Sequence, residues 1–234
     1  MTQPTVALTV DLEPDCPPFL QGFRGVEQGL PVVLSLLDEL EIPATFFTTG
    51  EVAERYPQSV RALVDAGHEL GCHGMTHTAF TDLSREAAEH EIDRSAEILR
   101  AFAPVCSFRA PYLKFPEAYV ELLEAARFDL DSSHARYKLA NYRAKAATRL
   151  TRIPASITSS ALRLPSMLAR AYLRALSDPV VLFVHPWEFV DLRREKLRWD
   201  CRVRTGDAAL ACLRRVLEWY TRSGARFARM RDLI

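Results

Sequence analysis

The stretch "ELGCHGMTH" sets His73 and His77 four residues apart, with Gly71 and Gly74 close by. An HxxxH pair by itself is as readily one face of a helical turn, or two unrelated surface histidines. Each glycine, however, disfavours helical backbone by about 1 kcal/mol relative to alanine, so the pattern predicts a loop that presents both imidazoles. Two histidines are an incomplete catalytic metal site, because sites that keep positions open for water and substrate generally take three protein ligands. "TVDLEPD" offers the third. Side chains at 11, 13 and 15 of an extended strand project to one face, although Pro14 predicts that the strand stops short of Asp15. Asp11, Glu13 and Asp15 could equally form a solvated turn. Against that, a "VALTV" strand of a parallel sheet is buried, and carboxylates at its end are costly without a cation. A divalent ion removes the cost: one carboxylate can ligate it while a second acts as general base on bound water.

Two further segments carry ionisable groups. "FRAPY" supplies Arg109 and a rigid turn leading to Tyr112, and "FVHPWE" places His185 after an apolar run. Alone, the first reads as a strand stopped by Pro111 and the second as a core histidine. In company with the other segments, His185 is a candidate general acid whose protonated form a carboxylate such as Asp131 favours. There is no GxSxG, no glycine-rich phosphate loop, and no evident base beside Cys72 or Cys106 in their motifs, so no nucleophile constellation competes.

The elements that must position these groups alternate along the chain. Strands are predicted at "TVALTVDL", "ATFFTTG", "HELGCH", "CSFRA", "RFDLDSS", "PVVLFVHPW" and "ARFARM". Helices are predicted around Glu27 to Leu40, from Ser59 to Ala66, from Ser84 to Phe102 and from Asp207 to Arg222. Strand followed by helix, repeated, implies a mainly parallel sheet with helical crossovers, either doubly wound or an incomplete (β/α) barrel. In both architectures active groups gather at the carboxyl ends of strands. Asp11, Glu13, His73, His77, Arg109, Asp131 and His185 all fall at or just past such ends.

A chain of 234 residues that is 48% hydrophobic can bury one sizeable core, and a single domain over 1–234 is expected. The 30 basic and 30 acidic residues cancel, which gives no reason to expect nucleic acid as a partner. The cancellation is regional. Between His134 and Ser177 stand Arg136, Lys138, Arg143, Lys145, Arg149, Arg152, Arg163, Arg170 and Arg174 with no acidic residue, leaving 21 basic against 30 acidic elsewhere. This segment is either a solvated face or, since "SSALRLPSMLARAYLRAL" mixes arginine with Leu, Met and Tyr, a surface for anionic lipid or phosphate. Five cysteines without a CxxC pair fit reduced thiols. With no apolar run near the ~20 residues of a bilayer span and no signal-peptide pattern in "MTQPTVALTVDLE", the expectation is a cytoplasmic protein, with peripheral attachment to the inner membrane surface as the variant. Composition sets no oligomeric state.

The ordered set "TVDLEPD", "HGMTH", "RAPY", "DLDSS" and "FVHPWE" resembles the polysaccharide deacetylase family, carbohydrate esterase family 4, over essentially the whole chain. The resemblance implies a distorted (β/α) barrel of about seven parallel strands and metal-dependent removal of an acyl group from an amino sugar. By motif, Asp11 would be the general base, His73 and His77 metal ligands, Arg109 the partner that orients Asp11, Tyr112 a backbone oxyanion donor and His185 the general acid. The first motif departs from the adjacent aspartates common in the family, since Leu12 separates Asp11 from Glu13. That Asp-x-Glu form and "HPWE" look like a branch that includes peptidoglycan and imide-type amidohydrolases, which makes Glu13 the expected third ligand and Asp15 its substitute. The usual Asp-Trp fourth motif is absent, and Asp131 stands in as partner of His185. The expected cofactor is one divalent ion, zinc first, with iron, cobalt, nickel or manganese as alternatives. The expected substrate is a small or lipid-phosphate-linked N-acetyl amino sugar. The rivals are a cyclic imide or ureide amidohydrolase like the allantoinases, and a non-catalytic glycan-binding barrel.

Overall fold

"TVALTVDL" has polar atoms only at its ends and on Thr9, and it forms a long strand buried from Val6 onward, β1 (Thr5–Leu12), in the computed structural model, which describes residues 3–138 and 147–234. Six further strands lie parallel to it in the order β6-β5-β4-β3-β2-β1-β7. They are β2 (Ala44–Thr48), β3 (Glu69–Cys72), β4 (Ser107–Phe108), β5 (Leu130–Asp131), β6 (Thr151–Arg152) and β7 (Val180–Val184). An eighth, β8 (Arg226–Phe227), pairs with the first residues of β1. The sheet curls into a half-barrel. Its two edges meet through Ser156 rather than a ladder: the Ser156 amide donates to the Val181 carbonyl at 2.8 Å, and its hydroxyl accepts from the Val181 amide at 2.9 Å. The expected single α/β domain with about seven parallel strands is the architecture found.

The crossovers are α1 (Leu30–Glu39), α2 (Gly50–Arg55), α3 (Pro57–Asp65), α4 (Arg85–Arg100), α5 (Val120–Ala125), α6 (Ser159–Leu162), α7 (Ser166–Arg174), α8 (Trp199–Arg202) and α9 (Asp207–Arg222). The α4 helix shows why the sequence folds this way. Ser84 caps it, its hydroxyl accepting from the Ala87 amide, and Ala88, Ile92, Ser95, Ala96 and Leu99 recur at helical spacing on the buried face.

Several boundaries differ from the sequence expectation. The helix expected from Glu27 begins as a π-helical turn, Gly25–Gly29, before α1. Here Gly25 and Gly29, four apart and therefore on one face, lie against the backbone of Pro186 and Trp187; a Cβ on Gly29 would stand 2.0 Å from the Pro186 carbonyl oxygen. Neither α2 nor β6 was anticipated: six residues are too short for α2 to show a helical period, and β6, partly exposed, lacks the apolar run that marks the other strands. The basic segment 134–177 supplies β6, α6 and α7 and buries Ile153, Ile157, Leu162 and Leu173 against the rest; its Arg143 and Lys145 lie outside the described residues.

Candidate metal centre and catalytic pocket

Strand β1 ends at Leu12, and the next residues turn over the carboxyl edge of the sheet. Glu13 is 4% exposed and Asp11 3%, so both carboxylates leave water when the chain folds. The loop after β3 brings two imidazoles to the same place. Gly74 and His77 there adopt φ of 76° and 56°, left-handed conformations that exclude a helix, as the glycines predicted. His77 Nε2 lies 2.5 Å and His73 Nε2 3.3 Å from Glu13 Oε2. One ligand atom from each of the three residues falls within 4.8 Å of the others.

The orientation of His73 is informative. Its Nδ1 lies 2.7 Å from the Arg109 carbonyl oxygen, an acceptor only, so Nδ1 carries the proton and donates. In the neutral ring Nε2 then presents a lone pair to a carboxylate lone pair, an arrangement relieved either by a second ring proton, which makes a hydrogen bond to Glu13, or by a cation between them. A second-sphere carbonyl that fixes the tautomer is the usual support of a ligating imidazole. Burial works against ionisation of Glu13, yet His77, His185 and His73 together hold its carboxyl well below the usual carboxylate range. Glu13 Oε1 accepts from Trp187 Nε1 at 3.2 Å, which leaves Oε2 for the histidine side. Asp15, the substitute ligand expected from sequence, is engaged elsewhere: its Oδ2 accepts from the Arg24 amide at 2.9 Å and its Oδ1 from the Gly25 amide at 2.7 Å. It satisfies the free amides at the start of a helix, where a carboxylate is also favoured by the dipole.

Asp11 sits beside Glu13 and the two histidines and is held by Arg109. The fully buried guanidinium donates from Nη1 to Asp11 Oδ1 and Thr9 Oγ1, both at 2.7 Å, and from Nη2 to Ser132 Oγ at 2.9 Å. Its plane lies 4.2 Å over the Phe47 ring. His185 follows β7, with Nε2 4.0 Å from Asp11 Oδ2 and 3.8 Å from Glu13 Oε1. Burial alone would disfavour the imidazolium, but Glu13, Glu188 and Asp11 outweigh it and push His185 up to about 9; a dication at Glu13 would act in the opposite direction.

The partner expected for His185 was Asp131, and the structure corrects this. Asp131 Oδ1 accepts from the Ser133 amide at 2.8 Å and Oδ2 from Arg152 Nε at 3.1 Å, with His134 Nδ1 3.7 Å away. Its charge is spent inside a buried network at the ends of β5 and β6. Glu188 takes the place instead. Its Oε1 accepts from His185 Nδ1 at 2.8 Å and from the His185 amide at 3.0 Å, while Oε2 lies 3.2 Å from Arg163 Nε. The sequence does carry this signal, as an acid three residues after the histidine across a proline turn. Nothing in the sequence marks Arg163, which binds the carbonyls of Asp200 and Val203 as well. Tyr112, at φ 58°, stands edge-on to His77 with ring centroids 4.6 Å apart.

Asp11, Glu13, His73, His77, Tyr112 and His185 line one cavity of about 310 Å³. Asp11, Glu13, His73 and His77 form part of its floor, while Tyr112, Tyr137, Lys138, Thr158, Arg163 and Arg198 contribute to its walls. The size suits one sugar ring with an acyl group.

The family model for polysaccharide deacetylases matches residues 1–130. A peptidoglycan deacetylase of Helicobacter pylori is 31% identical over 116 residues, which span 48% of this chain and 39% of that relative. The chain thus spans less than half the length of that curated relative. The crystal structure of a Mycobacterium smegmatis protein named for the same family superposes with a TM-score of 0.75 at 23% identity, over 98% of this chain and 88% of the other. A Bacillus anthracis structure described as a CE4 family pseudoenzyme superposes at 0.68 with 16% identity, over 99% and 66%. At these identities the likeness shows the fold, which active and inactive members share.

Proposed function

The chain belongs to the polysaccharide deacetylase family, and we propose that it hydrolyses the N-acyl group of an amino sugar with one divalent ion held by Glu13, His73 and His77. The observation that carries the reading is the convergence of those three ligand atoms within 4.8 Å, directly beside Asp11 and His185. Two imidazoles and one carboxylate suit zinc and also iron, cobalt, nickel or manganese. The buried lone pairs of His73 and Glu13 that face each other fit a cation. When bound, such an ion supplies Lewis acidity and makes water more acidic.

The chain's own groups divide the remaining work. Asp11, ionised and pinned by Arg109, is placed to take the proton of an attacking water. Arg109 keeps one carboxylate oxygen occupied and so leaves Oδ2 to face the cavity. The protonated Nε2 of His185 points toward Asp11 and Glu13, and Glu188 on the far nitrogen holds the ring in that orientation. From there His185 can give a proton to the leaving amine. Proton transfers of this kind contribute about 10²- to 10⁴-fold each. The backbone amide of Tyr112 is assigned to the developing oxyanion, following the motif, and the left-handed turn at that residue turns its peptide relative to the flanking chain.

The presence of all three candidate ligands and of a candidate acid and base favours this reading over a glycan-binding barrel that has lost catalysis. The test is metal analysis of the purified protein together with acetate release from N-acetylglucosamine oligomers, peptidoglycan fragments and lipid-phosphate-linked amino sugars. Acetate release that disappears on chelation and returns with zinc is the expected result. Ring opening of a cyclic imide or ureide without acetate release would replace the sugar by the imide reading. A metal-free protein with full turnover would overturn both.

A further inference from the structure

The helix α7 presents three different faces. Ala169 and Leu173, four apart, are buried. Arg170 and Arg174, also four apart, are exposed and form no ion pair among the described residues. The third face, at spacings of one, four and five, is Met167, Leu168, Ala171 and Tyr172; Met167 is 85% exposed, Leu168 60% and Tyr172 44%. A helix packed on a protein core buries its apolar side and exposes polar residues. Here the core covers only a narrow stripe, and a wider apolar face with an arginine flank is left to the outside.

In the chain α7 comes three residues after Arg163, which with Thr158, Ser159 and Ser160 belongs to the cavity wall. Arg136 Nη1 donates to the Ser177 carbonyl just beyond the helix at 2.5 Å. Other exposed large apolar side chains stand on the cavity rim: Phe19 is itself a wall residue, and Trp199, 69% exposed, lies between the wall residues Arg198 and Asp200.

We propose that the α7 face and this aromatic rim dock the protein on an anionic lipid bilayer, with the catalytic cavity opening toward the headgroups. Three features select lipid as the occupant. An apolar helix face flanked by arginine lies in the interface with its apolar side among the acyl chains and its guanidinium groups among phosphates. Tryptophan and tyrosine favour that depth because each has an apolar body and a polar tip. The segment from His134 to Ser177 has no acidic residue, and the rest of the chain is net acidic, so an anionic surface orients the molecule with α7 inward. Among the described residues no helix is long and apolar enough to cross a membrane, so the contact is peripheral. Docking in this way would bring an amino sugar on a lipid anchor to the cavity, a consequence that rests on the proposed reaction although the docking itself does not.

The experiment is co-sedimentation with vesicles of phosphatidylcholine alone and of phosphatidylcholine mixed with phosphatidylglycerol. The wild-type chain should partition to the mixed vesicles, and less so at high salt. The double variant Met167→Asp, Leu168→Asp should partition about tenfold more weakly or worse, and Arg170→Gln, Arg174→Gln should lose the preference for phosphatidylglycerol. Circular dichroism and acetate release from a soluble amino sugar should be unchanged in both variants, so that lost vesicle binding is not misfolding. Absence of partitioning by the wild type, or equal partitioning by the aspartate variant, overturns the proposal. So does a concentration-dependent dimer on size exclusion that the aspartate variant dissociates, since the face would then be covered by a second copy. Failure of soluble-substrate hydrolysis by the wild type bears on the reaction and leaves the vesicle result standing.

Discussion

Glu188 holds His185 from two sides, accepting from its ring nitrogen Nδ1 at 2.8 Å and from its backbone amide at 3.0 Å. One carboxylate oxygen therefore fixes both the ring and the turn that carries it. Against burial, which favours the neutral acid, Arg163 and His185 hold Glu188 below the usual carboxylate range. Replacing Glu188 by Gln keeps the acceptor but removes the charge that favours the imidazolium. The pKa of His185 must then fall, and the protonated form needed by a general acid is lost at lower pH. Glu188→Gln should lower kcat by about 10²-fold with KM little changed, and the alkaline limb of kcat/KM should move toward acid. An unchanged limb in metal-loaded variant and wild type would show that Glu188 only braces the turn.

Glu13 and Asp11 are two residues apart, yet their partners assign them different work. Glu13 faces both histidines, whereas Asp11 faces Arg109 and His185. Glu13→Gln should therefore lose the metal and turnover together. Asp11→Asn should retain the metal in elemental analysis while turnover drops by about 10²- to 10⁴-fold. Equal metal loss in the two variants would contradict the division of roles. His73→Ala should behave as Glu13→Gln does.

A ligand that binds only the folded chain stabilises it by RT ln(1 + [L]/Kd), about 4 kcal/mol at a thousandfold excess over Kd. Zinc added to the apo-protein should raise the unfolding midpoint of wild type and of Asp11→Asn, and should leave His73→Ala unmoved. Calorimetric scans with and without chelator decide the matter, and a zinc-dependent rise in His73→Ala would place the ion elsewhere.

The sheet and the loop that carries both histidines were legible in the sequence because both rest on short-range rules. β1 read as a buried strand from its apolar run, and the glycines around His73 and His77 read as a loop from backbone energetics alone. The acid beside His185 was misassigned to Asp131, although Glu188, three residues on across a proline turn, was the local candidate; as residue types the two carboxylates are near equivalents. Arg152 was available to claim Asp131, and a cation 21 residues away leaves no local pattern. Arg163 and the two-residue strand β6 were hidden for the same reason, their meaning being set by long-range contacts.

Asp131 and Arg152 carry a stability prediction of their own. Asp131 is buried, and although burial favours its neutral form, bonds from His134 and Ser133 and the Arg152 charge hold its carboxyl below the ordinary value. A carboxyl depressed in the folded state adds stability that is fully present above its unfolded pKa, near 4, and is lost as pH falls through the lower folded value. Unfolding free energy should thus fall in the acid range more steeply in wild type than in Asp131→Asn. Arg152→Met, which strands the charge, should cost about 3–5 kcal/mol at neutral pH. Parallel pH dependences for wild type and Asp131→Asn would remove Asp131 from the account.

The turn at Gly25–Gly29 lies tight against the backbone of the loop that bears His185. A Cβ on Gly29 would stand 2.0 Å from the Pro186 carbonyl oxygen, and one on Gly25 2.6 Å from the Trp187 amide nitrogen. Both neighbours are backbone, which cannot rotate aside as a side chain can, so the loop must move bodily. Trp187 moves with it, and with Trp187 goes the hydrogen bond to Glu13 and the ring stacked 4.8 Å from His185. Gly29→Ala should therefore destabilise the fold by about 1–3 kcal/mol and also lower kcat, although residue 29 touches no reacting group. The two effects are separable. Denaturant unfolding reports the first, and turnover measured well below the unfolding midpoint reports the second. A variant as stable and active as wild type would mean that the two segments can part without disturbing the acid, and that the glycines are not what sets its position.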